Sequence, residues 1–92
     1  MSSFRDYPFS MQIKLKLYAS FSEYLPKGAT GNVATVDVAE DASPDSVLQA
    51  WNLPMAEVHL VLVNGVFIPA GQRGRPLQPG DELAVWPAVA GG

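Results

Sequence analysis

The stretch Gly80-Asp81-Glu82-Leu83-Ala84-Val85-Trp86-Pro87-Ala88-Val89-Ala90-Gly91-Gly92 decides how the rest of the chain is read. Asp81 to Trp86 has the aliphatic and aromatic content of a strand. Pro87 has no amide hydrogen for a sheet ladder, so it is expected to stop that strand where a tail peels away. Gly91 and Gly92 lack a Cβ and can lie extended in a channel that rejects any side chain. From Pro87 to Gly92 the chain reaches roughly 20 Å at about 3.3 to 3.6 Å per residue, far enough to thread Val89, Ala90, Gly91 and Gly92 into a partner while the body stays outside. A terminal carboxylate is ionised at neutral pH and is a poor electrophile. Acyl chemistry at Gly92 therefore requires activation by another protein, most simply as an acyl-adenylate.

Outward from that stretch, local signals punctuate the chain clearly. His59 to Val63 is aliphatic and β-branched and runs into Asn64-Gly65, a hairpin signal whose return strand is Val66-Phe67-Ile68. Pro69 to Gly80 is interrupted by Gly71, Gly74, Pro76 and Pro79 and reads as loop, with one turn of helix around Arg75 to Gln78. Gln12 to Leu17 alternates strictly, with Ile13, Leu15 and Leu17 on one face and Lys14 and Lys16 on the other. Phe21 to Leu25 has the spacing of a short helical turn before Pro26, and Lys27 to Asn32 is a turn-rich loop. Val33 to Val38 is a second strand, paired with the first as an antiparallel hairpin.

A helix follows, with Ser43 as cap, Pro44 at its first position and Asp45 at the positive end of its dipole. Its stripe is Val47, Leu48 and Trp51, with Trp51 as core anchor, and it ends at about Asn52 because Pro54 restricts Leu53. The order strand, strand, helix, strand, short strand, strand predicts an α+β fold, a mixed sheet of about five strands with one main helix on one face.

Ninety-two residues allow one small domain, placed at 11–86, with 1–10 as an N-terminal extension and 87–92 as the tail. In the extension, the alternative is that Phe4, Tyr7 and Phe9 fold back onto the domain. A composition 48% hydrophobic and 16% charged belongs to globular chains, not disordered ones. A net charge of -3 argues against nucleic acid as partner, because phosphate binding draws on clustered Lys and Arg. The absence of cysteine removes disulfides, thiolate metal sites and a thiol nucleophile, so any sulfur comes from elsewhere. No apolar run approaches the roughly 20 residues that cross a bilayer, and Met1 to Ser10 lacks a signal-peptide core, so no membrane partner and a cytoplasmic location are expected.

Few residues point to chemistry within the domain. His59 is the only histidine and reads as a structural strand residue, and the acidic run Glu40 to Asp45 reads as helix-entry carboxylates, so no metal is expected. Gly71-Gln72-Arg73-Gly74-Arg75 sets two guanidiniums beside two glycines without the strand-loop-helix context of a phosphate loop, and Arg73 and Arg75 are candidates for a partner's acidic surface. Because one helix covers only one face of the sheet, Phe67 and Trp86 are either core or part of an open face that binds a partner.

The run Gly80 to Gly92, together with Met11-Gln12-Ile13-Lys14-Leu15-Lys16-Leu17-Tyr18-Ala19-Ser20 and the Val63-Asn64-Gly65 turn, resembles the ubiquitin-like sulfur carriers. The likeness is above all to the small subunit of molybdopterin synthase and the related thiamine-pathway carrier, over nearly all of Met11 to Gly92. It implies a β-grasp fold with first and last strands parallel at the centre. It also implies that Gly92 is adenylated by a ubiquitin-activating-type enzyme using ATP, thiocarboxylated with a sulfurtransferase, and spent as sulfur donor in molybdenum or tungsten cofactor synthesis beside a synthase large subunit. The chain itself would bind no cofactor and would be a carrier, not an enzyme. Phe21-Ser22-Glu23 stands where that subunit commonly has Leu-Arg-Glu, and Pro87-Ala88 where it has a double proline. These departures bear on the pathway, leaving thiamine synthesis or another acceptor open. A protein modifier forming isopeptides and a non-catalytic binding module are the competing readings.

Overall fold

The alternation that begins the chain's patterned region builds the centre of the molecule. The computed structural model describes residues 10–88. In strand β1 (Ser10–Leu17), Met11, Ile13, Leu15 and Leu17 are buried, while Gln12 and Lys14 are exposed and Lys16 is half-buried. The strand begins two residues earlier than the alternation from Gln12 suggested, because Ser10 pairs with Ala39 and Met11 with Val38. The remaining strands are β2 (Val33–Ala39), β3 (Val58–Val63), β4 (Val66–Phe67) and β5 (Glu82–Pro87). They form one sheet in the order β2-β1-β5-β3-β4, with β1 and β5 parallel in the middle and the other pairs antiparallel. Parallel neighbours cannot share a tight turn, so everything between Leu17 and Glu82 is the crossover that carries the chain from one central strand to the other. This is the β-grasp arrangement.

Helix α1 (Pro44–Ala50) crosses one face. Its entry is a reciprocal cap: the Ser46 amide donates to Ser43 Oγ at 3.1 Å, and the Ser43 amide donates to Ser46 Oγ at 2.8 Å. Asn52 at φ 64 turns the chain out of the helix in the left-handed conformation, and the Leu53 amide returns to the Leu48 carbonyl. Val47 and Leu48 are the buried apolar stripe, packed with Ile13, Leu15, Leu17, Phe21, Val61, Leu83 and Val85. Trp51 differs from its expected role as anchor: it is half-buried and packs against this core from the helix's C-cap, where it lines a groove open to solvent with Val38, Ala39 and Ala50.

Two other local expectations are corrected. The helical turn falls at Ala70–Gln72, not at Arg75 to Gln78. Pro76 and Pro79 oppose a helix there, and the Leu77 amide instead donates to the Ala42 carbonyl at 2.7 Å while its side chain enters the core. Pro87 is part of β5 and not merely its stop. The Tyr18 amide bonds the Val85 carbonyl and the Ala88 amide bonds the Glu57 carbonyl, so the peptide edge of Pro87 faces the β1 side, beyond the end of that strand. No ladder bond is lost there, which is the one setting in which a strand accepts proline at no cost.

Candidate functional site

β5 is the strand that leads to the glycine pair, and its two faces have different tasks. Leu83 and Val85 point into the core. Glu82, Ala84 and Trp86 share the opposite, helix-free face with Lys14, Lys16, Leu60, Leu62 and Phe67, their register neighbours on β1, β3 and β4. Trp86 lies half-buried and stacks on Tyr18 with ring centroids 4.4 Å apart and planes 5° from parallel. Phe67 is 53% exposed, and Val66 beside it at the sheet edge is 62% exposed. The sheet therefore resolves the alternative left by the sequence: both aromatics belong to the open face.

The polar rim of that face is tied to the start of β5. Lys16 Nζ meets Glu82 Oε1 at 2.9 Å. The hydrogen bond from Lys16, reinforced by its charge, lowers the Glu82 carboxyl below its ordinary range, and the same bond raises the Lys16 ammonium above its own. A lowered carboxylate stabilises the fold above the unfolded carboxylate range and loses that contribution as pH falls through the folded value. A raised ammonium contributes below the unfolded lysine range and loses its share as pH rises through the folded value. The pair thus holds across neutrality and fails at both extremes. Glu82→Gln is expected to make the acid limb of the thermal midpoint against pH shallower, with little change at neutrality because exposed pairs are worth little. A scan from neutral to strongly acid pH checks this, and an acid limb as steep as the parent's would contradict it.

Asn64 does more than the turn signal suggested. It occupies φ 52 at the hairpin, donates through Nδ2 to Asp81 Oδ1 at 2.8 Å, and accepts from the Glu82 amide at 2.9 Å through Oδ1. Asp81 in turn accepts from the Gln78 amide. The β3–β4 turn is thereby clamped to the first residue of β5, a role that no spacing in the sequence discloses.

Arg73 and Arg75 do not join Phe67 and Trp86. Arg73 is 7% exposed, and its guanidinium donates to the Ile68 carbonyl at 3.0 Å and the His59 carbonyl at 3.2 Å. His59 is the extra residue where the β3 register slips against β5, and the arginine gives its carbonyl a donor. As a partner-surface candidate Arg73 is thus corrected to a structural cross-tie, and the Gly71–Arg75 loop has no paired guanidiniums to offer an anion. Arg75 is exposed and borders a shallow groove with Pro44, Val63 and Leu77, on the helix side of the sheet. His59 has an exposed side chain. Among the described residues no group of three or more His, Cys, Asp or Glu could hold a metal ion, and no helix is long and apolar enough to cross a membrane. Of the tail, Pro87 is buried and Ala88 exposed, while Val89, Ala90, Gly91 and Gly92 lie outside the described residues.

Comparison with known proteins places this arrangement. The solution structure of the Haloferax volcanii HVO 2177 protein matches with a TM-score of 0.70 at 27% identity, covering 95% of this chain and 92% of that one. The crystal structure of H. volcanii small archaeal modifier protein 1 matches at 0.62 and 27% identity, over 86% of this chain and 99% of that one. A putative molybdopterin converting factor, subunit 1, from Pyrococcus furiosus matches at 0.62 with 19% identity, over 86% and 99%, a likeness of fold alone. No curated protein matches the chain. The family model that matches is Mut7-C ubiquitin, over residues 10–91, which takes in all five strands and the helix. A mixed sheet with a parallel centre, one covered face and one open face is the ubiquitin-like architecture, and this chain belongs to the Mut7-C ubiquitin family.

Proposed function

We propose that this chain is a sulfur carrier whose Gly92 carboxylate is activated and thiocarboxylated by other proteins. The observation that carries the reading is the likeness to a small archaeal modifier protein along 99% of that protein's length, in a chain whose central strand leads into Gly91-Gly92. In the first step the carboxylate oxygen attacks the α-phosphorus of ATP on an activating enzyme and pyrophosphate leaves, giving the acyl-adenylate. In the second, a sulfide-level sulfur from a sulfurtransferase displaces AMP and leaves a thiocarboxylate, the softer nucleophile. The domain supplies no catalytic side chain. It holds β5 rigidly through β1 and β3 and presents Phe67, Leu60 and Trp86 on the open face as the landing surface for the activating enzyme and for a synthase large subunit. The resemblance of Gly80–Gly92 to the molybdopterin synthase small subunit favours a pterin of the molybdenum or tungsten cofactor as acceptor.

The second reading, a modifier that forms isopeptides with lysines, is favoured by the same neighbour's being a small archaeal modifier protein. Intact mass of the chain after incubation with ATP, the activating enzyme of its own source and a sulfur donor tests both. The carrier reading expects a gain equal to sulfur minus oxygen at the terminal residue, and sulfur delivery to a precursor pterin. High-mass conjugates stable to reducing denaturation, with no thiocarboxylate, would establish the modifier reading in its place.

A further inference from the structure

β1 and β5 end side by side, and the end of β5 is tied on both flanks. Leu17 pairs with Val85, and the next residue, Tyr18, donates its amide to the Val85 carbonyl at 3.2 Å and lays its ring on Trp86. On the other flank Leu60 pairs with Trp86, and the register slip at His59 sets Val58, not His59, against Pro87. The slip brings Glu57 level with Ala88, whose amide donates to the Glu57 carbonyl at 3.2 Å. Glu57 is held in turn, closing the helical turn Met55–Glu57 with its amide on the Pro54 carbonyl at 2.8 Å. Ladder order therefore continues one residue past the buried Pro87. This shortens the reach expected of the tail: measured from Ala88, the four residues 89–92 carry the terminal carbon at most roughly 14 Å at about 3.6 Å per residue, whatever course they take, against roughly 20 Å from Pro87.

We propose that the Tyr18–Trp86 stack and the Glu57–Ala88 hydrogen bond form a clamp at the root of the tail, with Tyr18 and Trp86 as positioning residues that set how deeply Gly92 enters the activating enzyme. The proposal rests on the sulfur-carrier reading. The place of the two rings favours this role over packing: both are half-buried on the helix-free face, and neither is in the core cluster or packed against it. The stack holds Trp86 against the end of β1, and Pro87, with its fixed φ, passes that restraint on to Ala88. A tail free from Trp86 onward would search a larger volume for the nucleotide, whereas one rooted at Ala88 presents its carboxylate from a fixed origin and at a higher effective concentration. The partner this fits has a narrow channel whose mouth receives the Tyr18 and Trp86 rings and whose nucleotide lies no more than roughly 14 Å inside. A deeper site could be reached only by opening the clamp.

The test uses the full chain and changes only Tyr18, which leaves Phe67 and Leu60 of the landing surface in place. Tyr18→Ala is expected to speed exchange of the Ala88 amide with water roughly fivefold, with the Leu15 amide at the centre of the sheet unchanged. Tyr18→Leu, which keeps apolar bulk without a flat ring, should do the same, and Tyr18→Phe should keep the parental rate. With ATP and the activating enzyme, pyrophosphate release from Tyr18→Ala is expected to show kcat lowered roughly tenfold and KM within roughly twofold of the parent, with parental values for Tyr18→Phe. Parental exchange at Ala88 in both Tyr18→Ala and Tyr18→Leu would overturn the clamp. A freed Ala88 with kcat unchanged, or a loss confined to KM, would overturn its positioning role, the second outcome marking Tyr18 as a docking contact. If the parent itself releases no pyrophosphate, the sulfur-carrier reading falls and the positioning role with it, while exchange at Ala88 still decides the clamp.

Discussion

A Gly91→Val chain is expected to fold as the parent does and to lose sulfur loading entirely. On the proposed threading the obstruction would lie in the partner: the two methyls of valine would have no room in a channel shaped for backbone, and the acyl carbon would be held away from the nucleotide. The domain has no reason to change. Its core is drawn from Met11 to Val85, and the last described tie of the tail is the Ala88 amide to the Glu57 carbonyl at 3.2 Å, short of the substituted position. One residue appended after Gly92 should have the same consequence. Thermal midpoints would show the two variants equal to the parent, and intact mass after incubation with ATP, activating enzyme and sulfur donor would show sulfur only on the parent. Loading of Gly91→Val at the parental rate would refute the threading step while leaving the fold untouched.

The largest expected loss of stability is at Leu48. This side chain is 0% exposed, on a helix only seven residues long, and a helix of two turns has no stability of its own in water. Leu48→Ala truncates a side chain through which α1 joins the core and leaves a cavity in the cluster it shares with Ile13, Leu15, Leu83 and Val85. The cost is expected to be about 3 to 4 kcal/mol, a large part of the roughly 5 to 15 kcal/mol that holds a small domain together. Trp51→Ala should cost less despite the larger ring, since Trp51 packs at the margin of the core. Urea denaturation of both variants decides the order, and a greater loss at Trp51 would mean that α1 is anchored by its C-terminal end.

Much of this molecule was legible without coordinates, and the legible features share a cause. Alternation in Gln12 to Leu17, the cap at Ser43-Pro44-Asp45 and the Asn64-Gly65 turn are each determined by a few neighbouring residues, and each appears where the sequence places it. Local chemistry settles the phase of a strand, the start of a helix and the sign of φ in a turn. It cannot settle what lies across the sheet or at the end of a long side chain. The turn assigned to Arg75–Gln78 failed because the Leu77 amide bonds to Ala42, 35 positions away by number (77 minus 42). Arg73 read as a surface cation because its partners, the carbonyls of Ile68 and His59, come together only once the β3–β4 hairpin folds Ile68 back beside β3.

The open face follows the same division. Sequence alone determined that Phe67 and Trp86 sit on strands, that one helix leaves one face of the sheet uncovered, and that a glycine pair follows the last strand. Only the tertiary structure decided that Trp86 points away from the core and stacks on Tyr18, and that Phe67 shares its face. Period two fixes which residues of one strand go together, but the side they take depends on the face against which α1 packs. That choice is made by the summed burial of Ile13, Leu15, Leu17, Leu83 and Val85, residues distant in sequence that meet only when β1 and β5 lie parallel.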